Sequence, residues 1–534
     1  MSPQRKLVLP QLPQLPERVK LVEARVNKGI VSSIHAVDIE NAALTVALNA
    51  RCRYDVTGRR PGRVLLTPAK PNSTKVLKVF LFKANDGVTH LFRFTKSSIH
   101  ERGAIAWTAY AAGTGGALTG GDDNRFQPVV VLNKAFFANG VDKVQNLDTV
   151  AGTYKEAGPN APKVKYLTGF YNRLVGGYRV EPAQPNGPVS LVWCADGDTT
   201  KWPDDAPADV STGQSPLVDS PSDLADFITG VFGLTNVLLV IREKSIWVGT
   251  KQPIASNPFN FYTAVPGVGS DCPYGSFVIP GGLAFIDTLS STVWAYQLDG
   301  GIQRIGESIE KDLFRAISEP KNVFGSYDPI NSEGSWAIPL SGTSVLRTWT
   351  FNFRTKAWVY DEVDLLASIN DIDSSFEGVL SFDELIGTFD QLVGSFDSLV
   401  NTQPASSPAR YYGYTDGEIL QELDTVDEDN GVPFTMDLQS KEFSAPTVDA
   451  YFCEIRVQFI SKLAGTLALH YSRDHGKTWI LAKSMAMVPD EDSILRYTRM
   501  IKSRSLRWRI LASDGAPNIL SYEVHIQPSG PSRT

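Results

Sequence analysis

Seven chain reversals recur along the polypeptide at nearly even intervals, and each is flanked by runs rich in β-branched and aromatic residues. The first lies at Asp86-Gly87, between VLKVFLFK and VTHLFRFT, where the dipeptide accepts the positive φ angles of a tight hairpin. Comparable reversals follow at Asn139-Gly140, Asp196-Gly197, Arg242 to Lys244, Asp299-Gly300, Arg354 to Lys356 and Asp416-Gly417. With centres at 86, 139, 197, 243, 299, 355 and 416, the separations are 53, 58, 46, 56, 56 and 61 residues. A four-stranded propeller blade takes about 40 to 50 residues, so one strong hairpin per blade with modest insertions yields this period. The spacing predicts an all-β chain with a six- or seven-bladed β-propeller. Stacked β-sandwiches would also produce hairpins, but not their regularity.

From Ser381 the period is interrupted by SFDELIG, TFDQLVG, SFDSLVN, which places Phe382, Phe389 and Phe396, and Leu385, Leu392 and Leu399, at seven-residue spacing. The stripe suits a helix face, whereas Gly387 and Gly394 would each cost about 1 kcal/mol inside a continuous helix. A chain of one-turn units inserted at 374–401 is expected, as a contact with another subunit or as a loop folded onto its own protein. After the acidic run Asp424 to Asp429, read as a solvated linker, six longer strand-like runs between Ala450 and Ile526 predict a separate β-sandwich. The expected organisation is an extended arm over 1–19, a propeller over 20–423 and a C-terminal sandwich over 424–534.

Composition narrows the function classes. The formal charge of −7 argues against a general nucleic-acid binder, which needs a cationic surface to displace counterions. It is compatible with an acidic or neutral wall past which DNA slides. Four scattered cysteines, Cys52, Cys194, Cys272 and Cys453, lack metal spacing and are expected to be reduced core residues. The opening MSPQRKLVLPQLPQLPERVK has no signal-like apolar run, and Phe227 to Ile241 is too short and too interrupted for a membrane span.

No local catalytic pattern emerges. The six histidines show no HExxH spacing, no GxSxG elbow occurs, and GTGGALTGG at 113–121 reads as a loop, not a dinucleotide fingerprint. Asp196 and Asp198 imitate part of a calcium loop without its closing glutamate, so an Asp-stabilised turn is expected. Ser472, Asp474, Gly476, Thr478 and Trp479 match the S-x-D-x-G-x-T-W pattern of an Asp box, a fold element without chemistry of its own. No catalytic, cofactor or metal residues are assigned, and no cofactor is expected.

In order along the chain, Arg59-Arg60-Pro61-Gly62-Arg63, FFANGVDKVQ at 136–145, NRLVGG at 172–177, VWCADGDTTKW at 192–202 with Cys194 where serine is usual, the FD-x-L repeats and the Asp box resemble the tail nozzle or hub (packaged-DNA stabilisation) proteins of short-tailed bacteriophages. That resemblance implies a structural virion protein, assembled in the host cytoplasm into a homo-oligomeric ring, commonly a hexamer. The ring would extend the channel of the portal and tail adaptor, seat tail fibres or spikes, retain double-stranded DNA and pass it without sequence specificity. The rival readings are a glycan-binding or glycan-hydrolysing propeller of sialidase type, motivated by the Asp box, and a receptor-binding tail protein.

Overall fold

The computed structural model describes residues 19–528, apart from 84–87, 182–183, 185, 207–208, 318, 341, 371–409 and 445–449. The FD-x-L insertion and most of the expected N-terminal arm lie outside the described residues. The chain divides into two compact units: one holds Ile30–Ser33 with Arg60–Phe434, the other Ile34–Arg59, Thr435–Thr534 and the first 29 residues.

The Arg60–Phe434 unit is a seven-bladed β-propeller. Its sheets begin with the strands Lys78–Lys83, Gln127–Val131, Val164–Phe170, Ile228–Gly233, Ser276–Ile279, Phe324–Asp328 and Leu366–Ile369, which number the blades one to seven. Each of these strands touches the corresponding strand of the next blade, and Leu366–Ile369 returns to Lys78–Lys83, so they form the inner ring. Strands covered on both sides by neighbouring blades need apolar residues on both faces. In blade four the inner strand is buried from Ile228 to Val231, and in the next strand, Val237–Arg242, all but Val237 are buried. The apolar stretch noted between Phe227 and Ile241 is thus a hairpin of two buried strands.

Each of the seven sequence reversals falls in a different blade. Asp299-Gly300, for instance, links Thr292–Gln297 to Gly301–Arg304 in blade five. The residues of the Asp86-Gly87 reversal itself are not described, but its flanking strands Lys78–Lys83 and Thr89–Phe94 pair antiparallel as expected.

Blade seven is completed by a strand from far earlier in the chain. Gly62–Leu65 pairs antiparallel with Ile419–Leu423, Gly62 opposite Leu423 and Leu65 opposite Leu420. This closure ties the last blade to the start of the unit, while leaving the outermost strand of each blade as a short edge. It also corrects the expected linker: Glu428–Asp429 is part of the closing sheet, and Asp429 is bound by Arg60 at 2.9 Å. An acidic run looks like a linker in sequence because the buried Arg60 and Arg63 that meet Asp429 lie 369 and 366 residues before it.

The second unit is a β-sandwich. One sheet runs Ala50–Arg53, Val56–Arg59, Pro517–Pro528, Ala450–Ser461, Asp492–Ser503, with Val19–Arg25 also on Pro517–Pro528; the other contains Leu44–Leu48, Met436–Ser440, Ser505–Ala512, Gly465–Ser472 and Ile480–Met487. Leu506, Trp508 and Ile510 alternate inward on one sheet and Ile455, Val457 and Phe459 on the other. Trp508 and Tyr522 meet across the core with ring centroids 4.9 Å apart. The expected boundaries are therefore moved: residues 19–29 and 34–59 belong to the sandwich, and the propeller starts at Arg60. Strand pairing between the two ends of a chain leaves no local signal, so sequence proximity assigned these strands to the wrong unit.

Candidate functional site: an acidic cleft on blade four

Blade four carries a cleft of about 440 Å³ lined by Asp219, Asp223, Asp226, Lys244, Trp247 and Thr263, among others. Its wall begins as Asp219-Ser-Pro-Ser-Asp-Leu-Ala-Asp226, in which Pro221 opens a single 3-10 turn. Asp223 folds back to accept the amides of Asp219 and Ser220 at 2.8 and 2.7 Å. Burial opposes ionisation of Asp223, but these amide bonds outweigh it and hold the carboxyl below its usual range.

The floor is built by the hairpin Val237–Arg242 and Ser245–Lys251. Buried Asp226 accepts the Lys244 amide at 2.7 Å and the Ser245 hydroxyl at 2.6 Å, and Ser245 accepts the Trp247 indole at 3.1 Å. Beneath it the fully buried Arg242 lies 3.5 Å from Asp226 and donates to the carbonyls of Asp226, Leu217 and Asp223. On the hairpin turn, burial and the charge of Asp226 raise the pKa of Glu243. The neighbourhood thus combines carboxylates held in place by hydrogen bonds with one carboxyl pushed toward its neutral form. Such a surface attracts cations and hydroxyl-rich groups and repels phosphate. Among the described residues, no group of three or more His, Cys, Asp or Glu side chains is arranged to hold a metal ion.

The propeller axis is filled at the level of the inner strands. Arg125, entering blade two, is buried, donates to the Ala367 carbonyl of blade seven at 2.8 Å and sits 4.3 Å from the Phe324 ring centroid of blade six. Tyr166 of blade three and Tyr274, leading into blade five, approach to 6.4 Å between ring centroids. These side chains cross between non-adjacent blades, so the axis at this level is packed core.

The closure is fixed by a buried ionic latch that sequence reasoning missed. Arg60 takes Asp429 in two-pronged fashion at 2.9 and 2.5 Å and stacks 3.6 Å from the Phe434 ring centroid. Arg63 lies 3.7 Å from both Asp361 of blade six and Asp429, with its guanidinium 4.0 Å from the Tyr412 ring centroid. Burial works against the Arg63 charge, and Tyr412, Asp429 and Asp361 outweigh it, so its pKa stands raised. Between the two arginines Gly62 is required by space: a Cβ there would lie 2.4 Å from the Glu428 carbonyl oxygen. The available signal was two arginines flanking Pro-Gly directly before a strand-like run.

The Asp box takes the expected form. Asp474 accepts the Ser472 hydroxyl at 2.7 Å, the Thr478 amide at 2.9 Å and the Thr478 hydroxyl at 2.6 Å, while the Ser472 hydroxyl accepts the Gly476 amide at 2.9 Å. Gly476 adopts φ +86°, and half-buried Trp479 lies near Arg507 and Arg509, 5.9 and 5.6 Å from ring to guanidinium. Asp198 likewise serves a turn, accepting the Thr200 amide and hydroxyl at 2.9 and 2.6 Å, and Asp196 pairs with Arg173 at 3.2 Å. All four cysteines are buried, and none forms a disulfide. Phe382, Leu385, Phe389, Leu392, Phe396 and Leu399 lie outside the described residues, and among the described residues no helix is long and apolar enough to cross a membrane.

No family model and no curated protein matches the chain. Among solved structures it is similar to a streptogramin B lyase, at 11% identity over 68% of this chain and 96% of that one, with a TM-score of 0.36. It is also similar to the extracellular domain of a hybrid two-component system from B. thetaiotaomicron, at 10% identity over 82% of this chain and 47% of that one, with a TM-score of 0.38. A third is the exo-beta-1,3-galactanase of Phanerochaete chrysosporium, at 10% identity over 66% and 92%, with a TM-score of 0.24.

Proposed function

We propose that the chain is a non-enzymatic structural subunit of a short-tailed bacteriophage tail nozzle, several copies of which together surround the path of DNA. The carrying observation is the division of charge. The sandwich unit has 22 Lys and Arg against 15 Asp and Glu, a balance of +7, which leaves −14 on the propeller unit. An acidic, ring-closed body repels phosphate and lets DNA pass without holding it. Since the propeller axis is filled by Arg125, Tyr166 and Tyr274, the passage lies between copies and not through one.

The motifs behind the resemblance add support through their roles. Arg60 to Arg63 form the latch, and Asn139 accepts the amides of Val141 and Asp142 at 3.0 and 2.9 Å to turn blade two. These are architectural duties. In this reading the subunits assemble in the host cytoplasm as a ring, meet the portal and adaptor on one side and fibres or spikes on the outside, and work in the virion tail.

Sedimentation velocity and negative-stain imaging of the purified chain test the proposal. A closed ring with a central hole, and no retention of linear duplex DNA at physiological salt, is expected. A chain that stays monomeric at every concentration overturns it. Glycan hydrolysis is the second reading, favoured by the acidic blade-four cleft and by Glu243, whose carboxyl pKa is raised by burial and which stands next to the lining residue Lys244. It requires turnover of a β-1,3-galactan or a sialoside that Glu243→Gln abolishes.

A further inference from the structure

The sandwich ends on one side in two strands that no other described strand covers: Ile480–Met487 closes one sheet and Asp492–Ser503 the other. They run side by side, with the Lys483 ammonium 3.2 Å from the Arg496 carbonyl. A free strand of 12 residues is a template for pairing with another chain, and proteins usually shorten, twist or cover such an edge. Here it is apolar as well. Ile480, Leu481, Val488, Ile494 and Met500 are between 39 and 56% exposed. Interleaved with them stand the cations Lys483, Arg496 and Arg499, all at the surface. Of the acidic side chains, Glu454 of the neighbouring strand bonds Arg496, and Asp490, Glu491 and Asp492 lie at the turn end, where Asp492 is held by Gln458 at 2.9 Å, so Lys483 and Arg499 carry most of the edge's basic character.

This charge pattern selects the occupant. Two copies of the same edge would bring Arg496 and Arg499 of each against the other, and like charges opposed across strands are destabilising. The edge calls for a partner both apolar and acidic. Residues 374–401 of this chain supply five acidic side chains, no basic ones, and the repeated Phe and Leu of the FD-x-L units, with Asp383, Asp390 and Asp397 each directly following a phenylalanine. The excursion 371–409 leaves and re-enters blade seven at one place, where the Asn370 amide bonds the Tyr411 carbonyl at 3.1 Å. Thirty-nine residues that leave and return to one place can reach at most about 65 to 70 Å from it, far enough to meet a neighbouring subunit.

We propose that the basic, apolar edge formed by Ile480–Met487 and Asp492–Ser503 receives the acidic FD-x-L segment of a second copy of this chain. The inference rests on the ring reading for the identity of the partner, not for the complementarity of the two surfaces.

Two arms of one experiment separate these. First, a fluorescein-labelled peptide of residues 374–401 is titrated into the full chain carrying Asp383→Lys, Asp390→Lys and Asp397→Lys, whose own segment no longer competes. Saturable binding is expected, weakened at least about tenfold by Lys483→Glu, Arg496→Glu and Arg499→Glu together, and weakened by salt. No saturable binding, or binding indifferent to those reversals, overturns the docking whether or not the chain forms rings. Second, sedimentation velocity compares the parent with the Asp→Lys triple variant, the Glu triple variant, and both combined. Association is expected to fall in each triple variant and to return in the combination, where the charges are exchanged. Parent-like association in both triple variants overturns the docking, and circular dichroism like that of the parent identifies variants that have folded. A monomeric parent with a binding peptide fails the ring reading, and with it the second copy as partner, while the pairing of segment and edge stands.

Discussion

The two units solve the same problem, what to do with strand edges, in opposite ways. The propeller takes Gly62–Leu65 from the start of its sequence to finish its last blade, so its seven sheets close in a circle. The sandwich also joins both chain ends, pairing Val19–Arg25 with Pro517–Pro528, yet it still ends in the uncovered strand Asp492–Ser503. Closure has a consequence for how stability is distributed. In the propeller the seam depends on four charged side chains, Arg60, Arg63, Asp361 and Asp429, of which the first three are 0 to 1% accessible. In the sandwich the corresponding work is spread over an apolar core around Trp508 and Tyr522, and its ionic contacts set a buried carboxylate against partly exposed arginines, as where Glu454 meets Arg456 and Arg496. A ring can therefore be opened at one place, whereas the sandwich has to be eroded.

The sharpest way to break this contrast is Asp361→Ala. It removes one of the two carboxylates facing Arg63, so part of the about 3 to 5 kcal/mol that a fully unpaired buried charge costs is expected to be lost. The cysteines make the readout specific to each unit, since Cys194 and Cys272 lie in the propeller and Cys52 and Cys453 in the sandwich. Burial pushes the Cys194 thiol up to about 12 and Cys272 upward as well, so neither reacts while its surroundings stay packed. In a denaturant series with thiol labelling read by mass spectrometry, the variant is expected to expose Cys194 and Cys272 well before Cys52 and Cys453. Simultaneous labelling of all four would show that the latch has no separate role in the propeller.

Gly62→Ala tests the same seam by sterics instead of charge. The added methyl meets the Glu428 carbonyl oxygen at 2.4 Å, a backbone atom that cannot swing away, so a loss of about 1 to 3 kcal/mol is expected, again confined to the propeller thiols. Tyr522→Phe probes the sandwich. The phenol donates to the Asn41 carbonyl at 2.6 Å, so its removal is expected to cost about 1 kcal/mol and to advance Cys52 and Cys453 alone. That result also checks that residues 34–59 belong to the sandwich.

What could be read from the sequence follows the same division. A blade is a local object, and Asp299-Gly300 or Asp416-Gly417 announces its hairpin within a few residues, so the blade period was visible. The six C-terminal strands were visible because inward residues such as Leu506, Trp508 and Ile510 alternate with polar ones. Closure was not visible, because nothing near Gly62 names Leu423 as its partner, and nothing near Leu44–Leu48 names Met436–Ser440. The blade-four cleft escaped for a similar reason: Asp219, Asp223 and Asp226 look like a polar loop until Arg242, buried beneath them, explains why they are held there. The Asp box was legible as a turn, since Ser472, Asp474, Gly476 and Thr478 lie within seven residues, though the hydroxyl bonds of Ser472 and Thr478 were not.

That last case gives the smallest expected effect and isolates purely local structure. Hydrogen bonds from the Thr478 hydroxyl and amide and from Ser472 hold the Asp474 carboxyl far below the usual carboxylate range. A carboxyl whose folded pKa is depressed stabilises the turn fully at any pH above its unfolded value of about 3.9, and that contribution shrinks progressively as pH falls from there toward the folded value, while the folded carboxyl itself stays ionised. The parent is therefore expected to keep its Thr478 amide protected from hydrogen exchange down to about pH 3, after correction for the intrinsic rate, where an ordinary surface aspartate has lost its charge. Asp474→Asn keeps the shape and removes the charge, so exchange at Thr478 is expected to quicken several-fold and to lose its dependence on this titration. The four cysteines should label as in the parent, because the buried Ser472 hydroxyl keeps an oxygen acceptor in the asparagine and Thr478 is exposed. Earlier labelling of Cys52 and Cys453 in this variant would mean that the sandwich, like the propeller, hangs on a single ionised residue, and the contrast between closed ring and distributed core would fail.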